Sequence, residues 1–417
     1  MPQINAGDTA WLLVSTGLVM LMTPGLALFY GGMVQSKNVL STFMHSFFAL
    51  ALVTVQWALL GYSLAFGASH GGLVGGLDFI GLGGVGLEAR GTVPHLLYMA
   101  YQGMFAVITP ALVSGAFAER MKFSAYCLFT LLWTTLVYDP VAHWVWAPEG
   151  WLSRLGALDF AGGTVVHWTS GLSALVVAVV LGKRLGYPSA RHHPHNLTMT
   201  VLGAGLLWFG WFGFNAGSAL AADGVAALAL VNTHLAAAAG AVAWGLVEGW
   251  RFGKVTMLGV VSGLVAGLVG VTPAAGFVAP MGALAIGALT GVACYGGVLM
   301  KGRFGYDDSL DAFGVHGVGG AFGALITGVL ALRAVNPAGT DGLVASGSFA
   351  LLGKQLAGLG AAGAYAAGVT FLLLKVLEKT VGLRVSRDQE REGLDTALHG
   401  EIGYTLGNSA AALFRDS

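Results

Sequence analysis

Hydrophobic positions along this chain run in long unbroken stretches, where a soluble helix would show them every three or four residues and a half-buried strand every two. Eleven stretches reach or approach the roughly 20 residues that a helix needs to cross a hydrocarbon layer of about 30 Å. They lie near 8–31, 42–66, 95–117, 124–143, 161–181, 198–219, 226–247, 256–271, 279–299, 312–332 and 347–377, the eighth being short and ending at Thr272-Pro273. The pattern predicts an all-α integral membrane fold with eleven transmembrane helices. Basic residues gather between them: Lys37; Arg120 and Lys122; Lys183, Arg184 and Arg191; Arg251 and Lys254; Lys301 and Arg303 in alternate connections, then Lys375, Lys379, Arg384, Arg387, Arg391 and Arg415. The opposite connections hold Arg90, Arg154 and Arg333, with Lys354 inside the last stretch. Basic loops stay on the cytoplasmic side, so the chain is expected to begin outside and end inside.

Three landmarks recur in the same order. Phe29-Tyr30-Gly31-Gly32 pairs with Phe214-Asn215-Ala216-Gly217, Thr109-Pro110-Ala111 with Thr272-Pro273-Ala274, and His167-Trp168-Thr169-Ser170-Gly171 with His316-Gly317-Val318-Gly319-Gly320. Two halves of five helices follow, about 8–181 and 198–332, and because five is odd they must sit with opposite topology, an inverted repeat. The helix about 347–377 stands outside the repeat, which makes residues 1–377 one transmembrane domain and 378–417 a cytoplasmic tail.

Composition narrows this further. The chain is 56% hydrophobic and 10% charged with mean hydropathy +0.75, against roughly 25% charge in soluble domains. Its 20 basic and 20 acidic side chains cancel, so nothing argues for a nucleic-acid partner. Cys127 and Cys294 stand alone in apolar stretches and read as small buried hydrophobes. The first basic residue, Lys37, follows the first apolar stretch, which is therefore read as a retained helix rather than a signal peptide. The 66 glycines suit close helix packing in lipid.

Ionisable side chains inside spanning helices usually face the bundle interior. His45 and His234 are read as packing residues; His167 and His316 occupy equivalent repeat positions, and a two-fold axis in the membrane plane would bring them together. Asp159, eight residues before His167, and Asp311, five before His316, are expected to cap helix N-termini. Trp211, Phe214 and Ser218 fall on one helical face, as a pore wall would. Two histidines without a third ligand make a poor zinc site, so no metal or other cofactor is expected, and the reading is a non-enzyme.

At these residues the chain resembles the bacterial ammonium transporters, the Amt and methylammonium permease branch of the Amt/Mep/Rh superfamily. Residues Pro24 to Gly32, Asp159 to His167, Trp211 to Ser218 and Asp311 to Gly317 carry the resemblance. It implies that Trp146, Phe105 and Ser218, with Asp159 at the mouth, recruit ammonium or methylammonium; that stacked Phe105 and Phe214 form a gate; and that ammonium is deprotonated and ammonia passes a pore of His167, His316 and Trp211. It implies also a homotrimer in the bacterial inner (plasma) membrane, and a tail, 382–401, that couples to a PII-type regulator of nitrogen supply. Departures fall at Ala147-Pro148-Glu149-Gly150 and at Trp168-Thr169, where packing behind the histidine is expected to change. A primary sensing role is disfavoured, since about 40 residues after position 377 are too few for a signalling domain.

Overall fold

The computed structural model describes residues 3–189 and 192–404; Arg191, Arg415 and the end of the tail lie outside them. Among the described residues, ten helices are long and apolar enough to cross a membrane: α1 Ala6–Met33, α2 Ser36–Phe66, α3 His95–Ala116, α4 Phe123–Leu155, α5 Gly163–Leu181, α6 Leu197–Ala219, α7 Gly224–Phe252, α9 Pro280–Phe304, α10 Phe313–Leu330 and α11 Ala350–Thr380. Between α7 and α9 lies the shorter α8, Met257–Val271, with 15 residues. Eleven apolar stretches thus become ten long helices and one short one, because the chain turns out of α8 at Thr272-Pro273, where proline cannot continue the hydrogen-bond ladder. The protein is a multi-pass membrane protein.

Helix ends follow local chemistry. Asn5, Asn196, Asp223 and Thr256 each accept a backbone N–H of the first turn of α1, α6, α7 and α8, the usual N-cap bond. α7 and α9 run past their apolar stretches, carrying Glu248, Arg251, Lys301 and Arg303 into the polar layer, and stop at Gly253 and Gly305, both at φ +71. Such left-handed positions favour glycine. Where α7, α8 and α9 meet, a Cβ at Gly267 or Gly287 would strike the backbone of Ala236.

α1 lies antiparallel to α6, with Ser15 against Gly213, Gly25 against Leu207 and Gly32 against Thr200. α5 and α10 cross in the same opposed sense, Gly171 meeting Gly317 and Gly320 meeting Gly163. At the N-terminal face two short hairpins, Ser69–His70 with Val74–Gly75 and Ala89–Arg90 with Val93–Pro94, cover the bundle. At the C-terminal face the tail, including the short helix α12 (Arg387–Glu392), lies on the connections: the Leu394 N–H donates to Asn38, and Asp395 accepts from the Leu40 and Ser41 amides.

Candidate functional site

Several spanning helices contain a wide turn, one residue looser than the α-helical turn. Gly163–Trp168 in α5 carries His167, Phe313–Gly317 in α10 carries His316, and Phe212–Ala216 in α6 carries Phe214. Such turns concentrate at functional sites because they re-aim side chains. A Cβ at Gly171 would collide with Gly317, and this close approach lets the two imidazoles meet. Their rings stack 5.3 Å apart at 18°, with the Nδ1 atoms 3.2 Å apart. Two neutral imidazoles can bond this way only if one Nδ1 is protonated and the other is not, so their tautomers differ.

His167 also stacks on Trp211 at 5.4 Å, and the Trp211 Nε1–H donates to Thr272 Oγ1 at 3.0 Å. The break after α8 thus fixes the wall behind the histidine. Around the pair runs a narrow cavity of about 10 Å3, lined by Met22, Leu26, Phe29, Ile108, Leu112, Val166, Leu207, Val265, Trp211 and Phe214 besides the histidines. On its C-terminal side a further cavity of about 40 Å3 shares Phe29, Val265 and His316 and adds Ser262 and Asp311. On the N-terminal side the rings of Phe105 and Phe214 lie against each other, centroids 4.3 Å apart and tilted by 32°. Beyond them opens a vestibule of about 110 Å3 lined by Tyr98, Gln102, Phe105, Trp146, Phe160, Ser218 and Leu220.

Trp146 stands edge-on to Phe105 at 5.7 Å, and its Nε1–H donates to the Asp159 carbonyl. Ser218 Oγ bonds the Phe214 carbonyl at 2.8 Å and lies 3.2 Å from the Tyr101 hydroxyl. The Asp159 carboxylate accepts the amides of Gly162, Gly163, Thr164 and Val165. Burial pushes its carboxyl above the usual range, against the downward pull of those four amides. Asp159 does not itself line the vestibule; it holds Trp146 through its carbonyl and the first turn of α5 through its side chain.

One expectation is corrected. The cap of α10 is Asp308, which accepts from the Ala312 and Phe313 amides, whereas Asp311 sits at φ +61 and pairs with Lys301. Asp308 stands eight residues before His316, the spacing of Asp159 from His167, and that repeated interval was the available signal. Burial and the neighbouring Asp311 push its carboxyl up. Tyr98 and Phe160 are vestibule residues that the helical spacing did not pick out. His45 packs on Phe117 and Tyr126, and His234 on Trp208; neither lines the passage. Trp168, where the resemblance departs, donates its indole N–H to the Leu359 carbonyl of α11.

A family model described as Ammonium Transporter Family matches residues 10–404. The chain belongs to this family. An ammonium transporter of Bacillus subtilis (strain 168) is 53% identical over 405 residues, 96% of this chain and 99% of that one. The crystal structure of Saccharomyces cerevisiae Mep2 superposes with a TM-score of 0.88 at 40% identity, covering 93% of this chain and 89% of that one. A structure titled Sensor Amt Protein has a TM-score of 0.87 at 30% identity, covering 94% and 98%. The fold of this ammonium transporter family member is thus shared with Mep2 and with a protein named as a sensor.

Proposed function

We propose that this family member transports ammonium, binding it in the vestibule, removing a proton, and passing ammonia along the narrow cavity beside His167 and His316. The observation that carries the reading is the cavity wall: apart from the Trp211 indole, already bonded to Thr272, its only polar side chains are the bonded histidine pair. An unpaired cation in such a medium costs tens of kcal/mol by Born estimates. A ring face at the mouth returns about 0.5 to 2 kcal/mol, enough to recruit ammonium but not to carry it. Deprotonating an amine-like acid of pKa near 10.4 at pH 7 costs about 4.6 kcal/mol. Neutral passage is the cheaper route.

Trp146 and Phe105 offer ring faces and Ser218 an acceptor oxygen, Asp159 positions Trp146, and Phe105 with Phe214 must part for entry. The two inverted halves and the C-terminal helix form the transmembrane domain, residues 1–377, with the N-terminal face outside the plasma membrane and the tail, 378–417, in the cytoplasm. Three copies assemble with one pore each, and residues 382–401 with the basic loops receive a PII-type regulator. Methylammonium uptake into proteoliposomes tests the core of this: Ser218→Ala with Trp146→Leu should raise the half-saturation concentration several-fold, and an unchanged concentration dependence would misplace the recruitment site. Failure of the reconstituted protein to bind any PII-type protein of its own cell, in every nucleotide state, would remove the regulator.

A further inference from the structure

The second hairpin of the N-terminal face leads without a break into α3, whose Tyr98, Gln102 and Phe105 line the vestibule. From this hairpin Arg90 turns into a box of four aromatic rings. Its Cζ lies 4.6 Å from the ring centre of Tyr98, 5.6 Å from Phe66, 5.8 Å from Tyr62 and 6.0 Å from Phe79. Nη1 stands 3.0 Å from His95 Nε2, the Tyr62 hydroxyl 2.6 Å from that same nitrogen, and His95 Nδ1 3.0 Å from Glu88 Oε1. With its proton on Nδ1, His95 donates to Glu88, and the single lone pair on Nε2 is shared between the Arg90 N–H and the Tyr62 O–H. Among the described residues no carboxylate pairs with Arg90 within 4.0 Å. Glu88, the nearest acid in this chain of contacts, is spent on His95.

Tyr98 is the one ring common to the box and the vestibule, and Arg90 itself does not line the cavity. An always-charged guanidinium on that ring engages its π-electrons and raises the potential beside the cavity. Most basic residues of this chain fall in the other set of connections, so an arginine half-buried among aromatic rings is unexpected on topology alone.

We propose that Arg90 is a positioning residue for the vestibule: it holds Tyr98 and lowers the cavity's affinity for monovalent cations. The inference rests on the recruitment reading above. Its test is the concentration dependence of methylammonium uptake by wild type, Arg90→Lys, Arg90→Gln and Glu88→Gln in proteoliposomes, at low and raised sodium chloride. Arg90→Gln should lower the half-saturation concentration about threefold with maximal rate unchanged, the gap shrinking as salt screens the charge. Arg90→Lys should stay near wild type, and Glu88→Gln should move the opposite way. The idea is overturned if Arg90→Gln leaves half-saturation unchanged or raises it, or if the Lys and Gln variants shift alike, as a packing role requires. Should Arg90→Gln fail to fold, a Glu88→Gln variant with unaltered half-saturation is equally fatal. Ser218→Ala in parallel separates the failures: if it acts and the Arg90 variants do not, only this inference falls; if it has no effect, the recruitment reading falls and takes this one with it.

Discussion

The middle of the bundle and its C-terminal face handle polarity in opposite ways. Along the narrow cavity the polar side chains that meet the passage are two imidazoles bonded to each other and an indole tied back to Thr272. At the C-terminal face charges are buried densely and paired. Arg184 bridges Glu119 at 2.6 Å and Asp307 at 2.8 Å, Arg120 donates to the Asp307 carbonyl, the Gly182 carbonyl and Ser309, and Arg384 holds Glu390 at 2.7 Å. These contacts tie the connections after α3, α5 and α9 together, and the Leu185 amide donating to Glu390 and Arg384 donating to the Leu181 carbonyl join the tail to them. Burial alone would therefore not keep charge out of the narrow cavity, since this chain buries charge readily where a partner is fixed. A permeating ion has no fixed partner, and the cavity wall supplies none.

The largest effect that should divide the two regions comes from Arg184. Arg184→Ala would leave Glu119 and Asp307 buried without their cation, and breaking such a pair costs about 3 to 5 kcal/mol. Unfolding of the variant in detergent should shift accordingly, while the same change at the exposed Lys375–Glu378 pair should shift it by less than about 1 kcal/mol. The same cluster sets an acid limit. Burial raises the carboxyls of Glu119 and Asp307, but Arg184 and their hydrogen bonds outweigh it and hold both below the usual range. Groups with depressed folded pKa stabilise above their unfolded values, near pH 4, and that stability is lost as pH falls through the folded ones. Stability measured from pH 7 down to pH 3 should therefore fall more in wild type than in an Arg184→Ala background; equal slopes would mean that the cluster is not the acid-labile element.

Smaller, and confined to the passage, is the loss of one imidazole. His316→Ala leaves the His167 Nδ1 without its partner, worth about 1 to 3 kcal/mol, so methylammonium flux should drop roughly tenfold or more with the fold retained. Unaltered flux would make the pair a packing contact. Smallest is Asp308→Asn, which keeps one acceptor at the start of α10 and should cost about 1 kcal/mol or less, read as a modest fall in thermal stability with flux nearly intact.

Much of this was legible in the sequence. Runs of apolar residues gave the spanning helices, since in lipid every backbone group must bond within its own segment. The repeated spacing paired His167 with His316, and helical periodicity put Trp211, Phe214 and Ser218 on one side. What stayed hidden depends on backbone detail. Three aspartates, 307, 308 and 311, crowd before α10, and which of them caps it depends on the left-handed turn at Asp311, which residue type alone does not specify. The wide turns that aim His167, His316 and Phe214 are set by close contacts such as Gly171 with Gly317. Tyr98 and Arg90 meet because a hairpin folds back over the start of α3, and its tight turn at Gly91, φ +67, is a backbone detail that the apolar pattern passes over.

The central claim is that the substrate passes the histidine pair as a neutral molecule, and charge selectivity tests it most directly. Potassium-evoked currents should be recorded beside methylammonium flux in reconstituted wild type, His167→Asp and His316→Asp. A carboxylate in the cavity would supply the fixed partner that the wall lacks, so the account predicts potassium current in the aspartate variants and none in wild type. Potassium current through wild type, or aspartate variants as silent to potassium as wild type, would contradict it.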